Sequence, residues 1–178
     1  EHRQRLGVGR SNEAGGNQTS AGANCGIWEW DLRNDTITWS ASMYALIGRY
    51  DGRKSVAPAD IHALMHPEDR AALDRIKACA DNDKKRFDEV FRLRHAHGNW
   101  VWIHAKGGAA AMTDPAAGPA TRLTGIATDV TALKQAESRI TEAESRLRDA
   151  IENISEAFVL WDSDDKLVLC NKNFAAFY

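Results

Sequence analysis

A seven-residue apolar repeat runs through the last third of the chain: Leu133, Ile140, Leu147 and Ile154 recur at every seventh position, and Ala136, Ala143 and Ala150 fill the places between. Apolar side chains spaced on average 3.5 residues apart keep one seam of a helix against a partner helix. Residues 132–154 are therefore expected to form one strand of a two-stranded coiled coil. With Leu133 at position a, Arg139 falls at g and Glu144 at the next e, where a parallel partner brings opposite charges together. The repeat starts directly behind a strand-like segment, Gly125-Ile126-Ala127-Thr128-Asp129-Val130-Thr131. A helix so placed leaves a folded domain and connects it mechanically to the segment on its far side.

That segment resembles the domain's own beginning. Trp30-Asp31 matches Trp161-Asp162, and the same offset brings Ser40 onto Asn171 without a gap. Residues 155–178 are thus expected to be the start of a second copy, in which Leu167-Val168-Leu169-Cys170-Asn171 is a strand and Phe174 and Phe177 belong to a short helix. Two strands cannot close a sheet alone.

The length of 178 residues leaves room for one domain of ordinary size plus attachments. Lys and Arg number 23 against 25 Asp and Glu, without the basic block that a phosphate backbone requires, so nucleic acid is not an expected partner. Cys25, Cys79 and Cys170 form no C-x-x-C pair and no even set, which fits a reducing cytoplasm. No run approaches the roughly 18 to 20 apolar residues of a membrane span, and no leader opens the chain. This segment is expected to be soluble and to make no membrane contact, while a longer parent could be anchored elsewhere. The chain starts without Met and stops inside the repeat, which reads as an internal piece of a longer protein.

Residues 1–25 are read as a flexible linker, because Arg10 to Asn24 is mostly Gly, Ser, Asn, Ala and Gln and has little to bury. In Ile27 to Leu32 the apolar Trp28, Trp30 and Leu32 alternate with Glu29 and Asp31, a strand with one apolar face. Arg33-Asn34-Asp35 is a turn, Thr36 to Ser40 a returning strand, and Ala41 to Ile47 a short helix closed by Gly48. Tyr50 to Ala57 reads as loop. A helix carrying Ile61, Leu64 and Met65 comes next, and His66-Pro67-Glu68-Asp69-Arg70 opens another, with Ala72, Leu73, Ile76 and Ala80 on its core face. Strands are expected over Lys84 to His95, Asn99 to Ala111 and Thr121 to Val130, with a loop over Thr113 to Ala120. The fold class is α+β: a five-stranded antiparallel sheet with short helices on one face, plus a C-terminal coiled-coil helix.

This order, with Trp28-Glu29-Trp30-Asp31-Leu32, Thr38-Trp39-Ser40, Met65-His66-Pro67-Glu68-Asp69-Arg70, Phe91-Arg92-Leu93-Arg94, Gly98-Asn99-Trp100-Val101-Trp102 and Gly125 with Asp129-Val130-Thr131, resembles a PAS domain of the sensor-kinase branch. The resemblance covers 26–131. It places the coiled-coil signalling helix at 132–154 and the truncated start of a second PAS domain at 155–178. That branch commonly carries an acidic residue directly before the aromatic-Arg pair. Here Val90 stands there and Glu89 one step earlier, on the opposite strand face.

Candidate chemistry is sparse. His62, His66, His95, His97 and His104 are scattered over turns, helix starts and a strand end, so no metal is assigned. Haem-binding PAS domains, as the resemblance implies, supply a histidine from the helix before the third strand, and Glu68 to Asp83 contains none. Cys25 precedes the first strand and Cys79 sits among Lys, Ala and Asp, which does not match the reactive cysteine of the flavin-binding members. Haem and flavin are therefore disfavoured and the cofactor is left unknown. A pocket between sheet and helices is expected among Trp39, Met43, Met65, Phe91 and Trp102. The pairs Trp28/Trp30 and Trp100/Trp102 also have a plain packing role. No nucleophile, phosphate loop, phosphoacceptor helix, ATP lid or cyclase motif is present, so these residues contain no catalytic module.

The resemblance implies that Asp129-Val130-Thr131 couples the sheet to the output helix. Asp129 is expected to tie the last strand to the junction, and the Thr131 hydroxyl to cap the helix. Asp129, Thr131, Leu133, Ala136, Ile140, Ala143, Leu147, Ala150 and Ile154 are the relay residues. The expected function is regulation of a sensor histidine kinase by a homodimer joined through the PAS unit and the coil, acting on a kinase module of the same parent chain. A diguanylate cyclase parent and a constitutive dimerisation scaffold are the alternatives.

Overall fold

The computed structural model describes residues 25–50, 52–81, 86–109 and 121–176. The expected linker up to Asn24 and the loop Thr113 to Ala120 lie outside the described residues. Strands β1 (Cys25–Asp31) and β2 (Thr36–Trp39) form the opening hairpin, with Trp28 opposite Trp39 and Trp30 opposite Ile37. Their alternating apolar residues face inward: Trp30 and Ile37 are each 2% exposed. Helix α1 (Ala41–Leu46) starts on Ser40, whose hydroxyl accepts the Met43 amide hydrogen, and stops at Gly48, where φ is +66°.

Residues read as loop contain a further strand, β3 (Ser55–Val56), which pairs with β2. The sheet therefore has six strands rather than five, in the order β3-β2-β1-β6-β5-β4. A strand of two residues shows no periodicity, so sequence patterning cannot expose it. Strands β4 (Arg86–Arg94), β5 (Trp100–Ala109) and β6 (Arg122–Asp129) complete the sheet, all neighbours antiparallel.

Helices α2 (Pro58–Leu64) and α3 (Ala71–Ala78) cover the inner face with Ile61, Ala72, Leu73 and Ile76. Each large aliphatic side chain so buried contributes about 1.5–3 kcal/mol. Between them Pro67–Asp69 is a 3₁₀ turn, so the proline opens a tighter turn than an α-helix. This segment closes the free edge of β4: Met65 bridges Leu93, the His66 amide donates to the Arg92 carbonyl at 3.0 Å, and the Arg92 amide donates to Asp69 at 2.9 Å.

The centre of the sheet is held by a close approach. Gly107 lies opposite Gly125, and Gly125 opposite Trp28. A Cβ on Gly125 would sit 2.8 Å from the Trp28 ring and 2.7 Å from the Lys106 carbonyl, so only glycine lets the indole lie across the strand. The same indole stacks on Phe87 at 5.3 Å between centroids.

Helix α4 (Thr131–Glu152) leaves β6, and a second hairpin, β7 (Val159–Trp161) and β8 (Leu167–Cys170), is followed by α5 (Lys172–Ala175). The hairpin repeats the first one where its strands meet the helix that follows. Ser40 Oγ accepts the amides of Ile27 and Met43 at 3.0 and 3.2 Å, and Asn171 Oδ1 accepts those of Phe158 and Phe174 at 2.9 and 3.0 Å. The Ser40 amide donates to the Ile27 carbonyl, as the Asn171 amide does to that of Phe158. Val159 opposite Cys170 and Leu160 opposite Leu169 reproduce the register of Trp28 with Trp39 and Glu29 with Thr38, until a bulge at Trp161.

Candidate functional site

Sheet and helices enclose an apolar cavity of about 30 Å³. Its walls include Trp28, Trp30 and Trp39 from the first hairpin, Met43, Ile61 and Leu73 from the helices, and Phe91 and Ala127 from β4 and β6. Of the five residues expected to form a pocket, Trp39, Met43 and Phe91 line this cavity. Met65 is 1% exposed but bridges to Leu93 beside it. Trp102 corrects the expectation, because alternation along β5 sends Val101, Ile103 and Ala105 inward and Trp100, Trp102 and His104 to the outer face. The space matches one or two water-sized groups, far short of the several hundred Å³ that drug-sized or cofactor ligands occupy. Its lining has no histidine and so offers no haem ligand.

The histidines are dispersed by the fold. His95 and His97 lie edge to face at 4.7 Å, His66 packs edge-on against Trp100, and His104 meets Asp88 at 2.6 Å. Asp88 is held below the usual carboxylate range by His104 and then Lys106. Among the described residues no three His, Cys, Asp or Glu side chains converge as metal ligands. Cys79 is buried, and burial pushes its thiol up, away from the thiolate form that reactive cysteines need.

On the outer face Trp102 joins the sheet to the exit helix. Its amide donates to Thr131 Oγ1 at 2.9 Å, and its carbonyl accepts the Val130 amide at 2.9 Å. Both backbone polar groups of one β5 residue are thereby committed to the N-cap and the first residue of α4. Asp129 Oδ1 accepts the Thr131 amide at 2.8 Å. The expected division of labour is thus partly reversed: Asp129 satisfies the amide at the helix start, and Thr131, the first helical residue, turns its hydroxyl back to the sheet instead of capping.

Above Trp102 lies Arg92, its guanidinium 4.9 Å from the indole centroid. Asp69 grips Arg92 through Nε at 2.7 Å and Nη2 at 2.9 Å, and Glu68 adds a bond at 2.9 Å. The hydrogen bonds from Arg92 hold the Asp69 carboxyl below its ordinary range, and Asp69 raises Arg92 in turn. Glu68 and Asp69 therefore both serve Arg92. Periodicity and spacing give no hint of this pairing; only the two family segments that carry these residues do. The shift from Val90 to Glu89 has its own outcome: Val90 is 38% exposed on the outer face, while Glu89 faces α3 and binds Arg75 through two bonds of 2.7 and 2.8 Å.

Along α4, Leu133, Ile140 and Leu147 are each about 60% exposed, and Ala136, Ala143 and Ala150 are exposed with them. Ile154 is a correction to the seam. The helix ends at Glu152 with Asn153 as its cap, so Ile154 lies outside it. No helix among the described residues is long and apolar enough to cross a membrane.

These features have counterparts in known proteins. The profile of the PAS fold family matches residues 36–126. The Non-motile and phage-resistance protein of Caulobacter vibrioides is 36% identical over 160 residues, a match covering 88% of this chain and 18% of that protein. This chain therefore spans about a fifth of that relative's length. A sensory box histidine kinase/response regulator from Burkholderia thailandensis has a solved structure that is 27% identical, with a TM-score of 0.59 over 72% of this chain and 93% of that one. The N-terminal domain of a diguanylate cyclase with PAS/PAC sensor from Marinobacter aquaeolei shares the fold at 19% identity and a TM-score of 0.52, over 62% of this chain and 98% of that one. With the family profile spanning half of the chain, on a six-stranded antiparallel sheet whose inner face is covered by short helices, the chain belongs to the PAS fold family.

Proposed function

We propose that this chain is the sensory and regulatory PAS region of a sensor histidine kinase, working in the cytoplasm as a parallel homodimer and passing a signal through α4. The observation that carries the reading is the pair of hydrogen bonds that Trp102 makes with Val130 and Thr131, with the exposed apolar stripe of α4 beyond it. Any shift of β5 relative to β6 must move the base of α4, because both backbone polar groups of Trp102 are attached there. The cavity wall shares this route: Ala127 lines the cavity two residues before Asp129. A change in core packing, with or without a small apolar ligand, thus has a short path to the helix.

The match to the Caulobacter relative supports α4 as part of the functional unit, since 88% of the chain cannot be matched without including the helix. The histidine kinase from Burkholderia thailandensis supports the type of output. The repeated hairpin is the beginning of a second PAS domain, and the exposed Trp161 and Val168 stand where Trp30 and Ile37 are buried in the first copy. The stripe of α4 is the seam of a two-stranded coil with Leu133, Ile140 and Leu147 at a and Ala136, Ala143 and Ala150 at d. The test is autophosphorylation of the longer protein that carries this region, compared with a version lacking 25–131. Altered phosphorylation on removal supports the reading. Cyclic dinucleotide synthesis in place of phosphorylation would assign the region to a cyclase, and unchanged output would leave a dimerisation scaffold.

A further inference from the structure

Six hydrogen bonds cross the short link between α4 and the second hairpin, and they come from three side chains. The last carbonyls of a helix have no partner within it. Here Asn171 Nδ2 donates to the carbonyl of Ile151, in the last turn of α4, at 3.4 Å, and beyond the helix end to those of Ile154 at 3.4 Å and Glu156 at 2.8 Å. Asn173 Nδ2 donates to those of Ile154 and Ser155 at 2.9 and 3.0 Å. In the other direction the Glu152 carboxylate accepts the Lys172 amide, the first of α5, at 3.0 Å. Asn171 is 1% exposed, and Ile151 is buried although Leu147, one turn earlier, is 60% exposed. The helix is thus seated on the hairpin at its end.

The first copy shows which part of Asn171 is the addition. Ser40, at the corresponding place, makes both acceptor bonds that Asn171 makes through Oδ1. It has no amide nitrogen, and so no equivalent of the arm that reaches the helix end. Packing the hairpin needs only the oxygen, and the nitrogen serves the junction.

We infer that Asn171, Asn173 and Glu152 form a clamp that locks the rotational setting of α4 to the second hairpin, so that a turn of the helix is delivered to the hairpin instead of being lost in residues 153–157. Its use in signalling rests on the proposed relay through α4, but its existence does not. Asn171 is a positioning residue: it acts by orienting one element against another.

The test is a distance measurement by paired nitroxide labels on S145C in α4 and D164C in the turn of the second hairpin. The full chain is used, with Cys25, Cys79 and Cys170 replaced by Ala and labelled chain diluted into excess unlabelled chain. A narrow distribution is expected for the parent, widening at least twofold in N171S/N173A. Amide exchange at Phe158 and Phe174 should stay within twofold, because serine keeps the acceptor. E152A, which leaves the hairpin untouched, should widen the distribution in the same sense and decides the matter if N171S/N173A loses the hairpin. A distribution already broad in the parent, or equally narrow in all variants, would overturn the clamp. Either result leaves the relay to be tested by deletions within α4, whose outcome does not depend on the clamp.

Discussion

The amide of Trp102 donates to the hydroxyl of Thr131 at 2.9 Å, across from the strand that leads into the helix. This bond fixes α4 to β5, which neighbours the preceding strand β6 in the sheet but does not adjoin the helix in sequence. Thr131→Val keeps the shape and removes the acceptor, leaving a part-buried amide without its partner. The variant should lose about 1–2 kcal/mol in urea unfolding, and the Trp102 amide should exchange faster. Thr131→Ser should retain most of the wild-type stability.

Asp69 and Arg92 make a second joint, between the helical layer and the outer face. Asp69→Asn should destabilise by about 2 kcal/mol at neutral pH, since Arg92 keeps its stacking on Trp102 but loses a charged partner. The Asp69 carboxyl is depressed in the folded chain, so the stability it contributes is present above the ordinary aspartate range near pH ~4. That contribution is lost as pH falls through the lower folded value. Thermal unfolding of wild type and variant should therefore converge in acid and diverge above it.

Gly125 is under the Trp28 indole, and a methyl group there has nowhere to go. Gly125→Ala should cost about 1–3 kcal/mol by overpacking and shift the fluorescence of the buried tryptophans. Gly52→Ala, where an added Cβ meets nothing, is the comparison for backbone strain alone, its φ being +72°.

Much of this architecture is legible in the sequence, for identifiable reasons. Trp28 and Trp30 alternate with charged residues, and only one assignment of faces is then possible. In β5 both faces are apolar, Val101 and Ile103 on one side and Trp100 and Trp102 on the other, so alternation cannot say which faces the core. The size of tryptophan favours the wrong side. The seam of α4 is readable as far as Ala150, while Ile154 continues the period past the point where Asn153 ends the helix. The Arg75–Glu89 pair and the donor arm of Asn171 leave no local signal, because they depend on segments brought together by the fold.

If α4 pairs in parallel, Arg139 at g meets Glu144 at the partner's e. Glu144→Arg should weaken the dimer several-fold at low salt, and adding Arg139→Glu should recover most of the loss. Sedimentation equilibrium of the four combinations checks the register, and additive effects would speak against it.

Phase against length is the most direct test of the relay itself. Deleting Ile140 to Arg146 keeps Leu147 in phase with Leu133 and shortens the helix by about 10 Å, whereas deleting Ser145 and Arg146 turns everything downstream by roughly 200°. Measured in the longer protein that carries this region, autophosphorylation should remain regulated after the seven-residue deletion and become locked on or off after the two-residue one. Equal, unregulated output from both would contradict the relay and make α4 a tether.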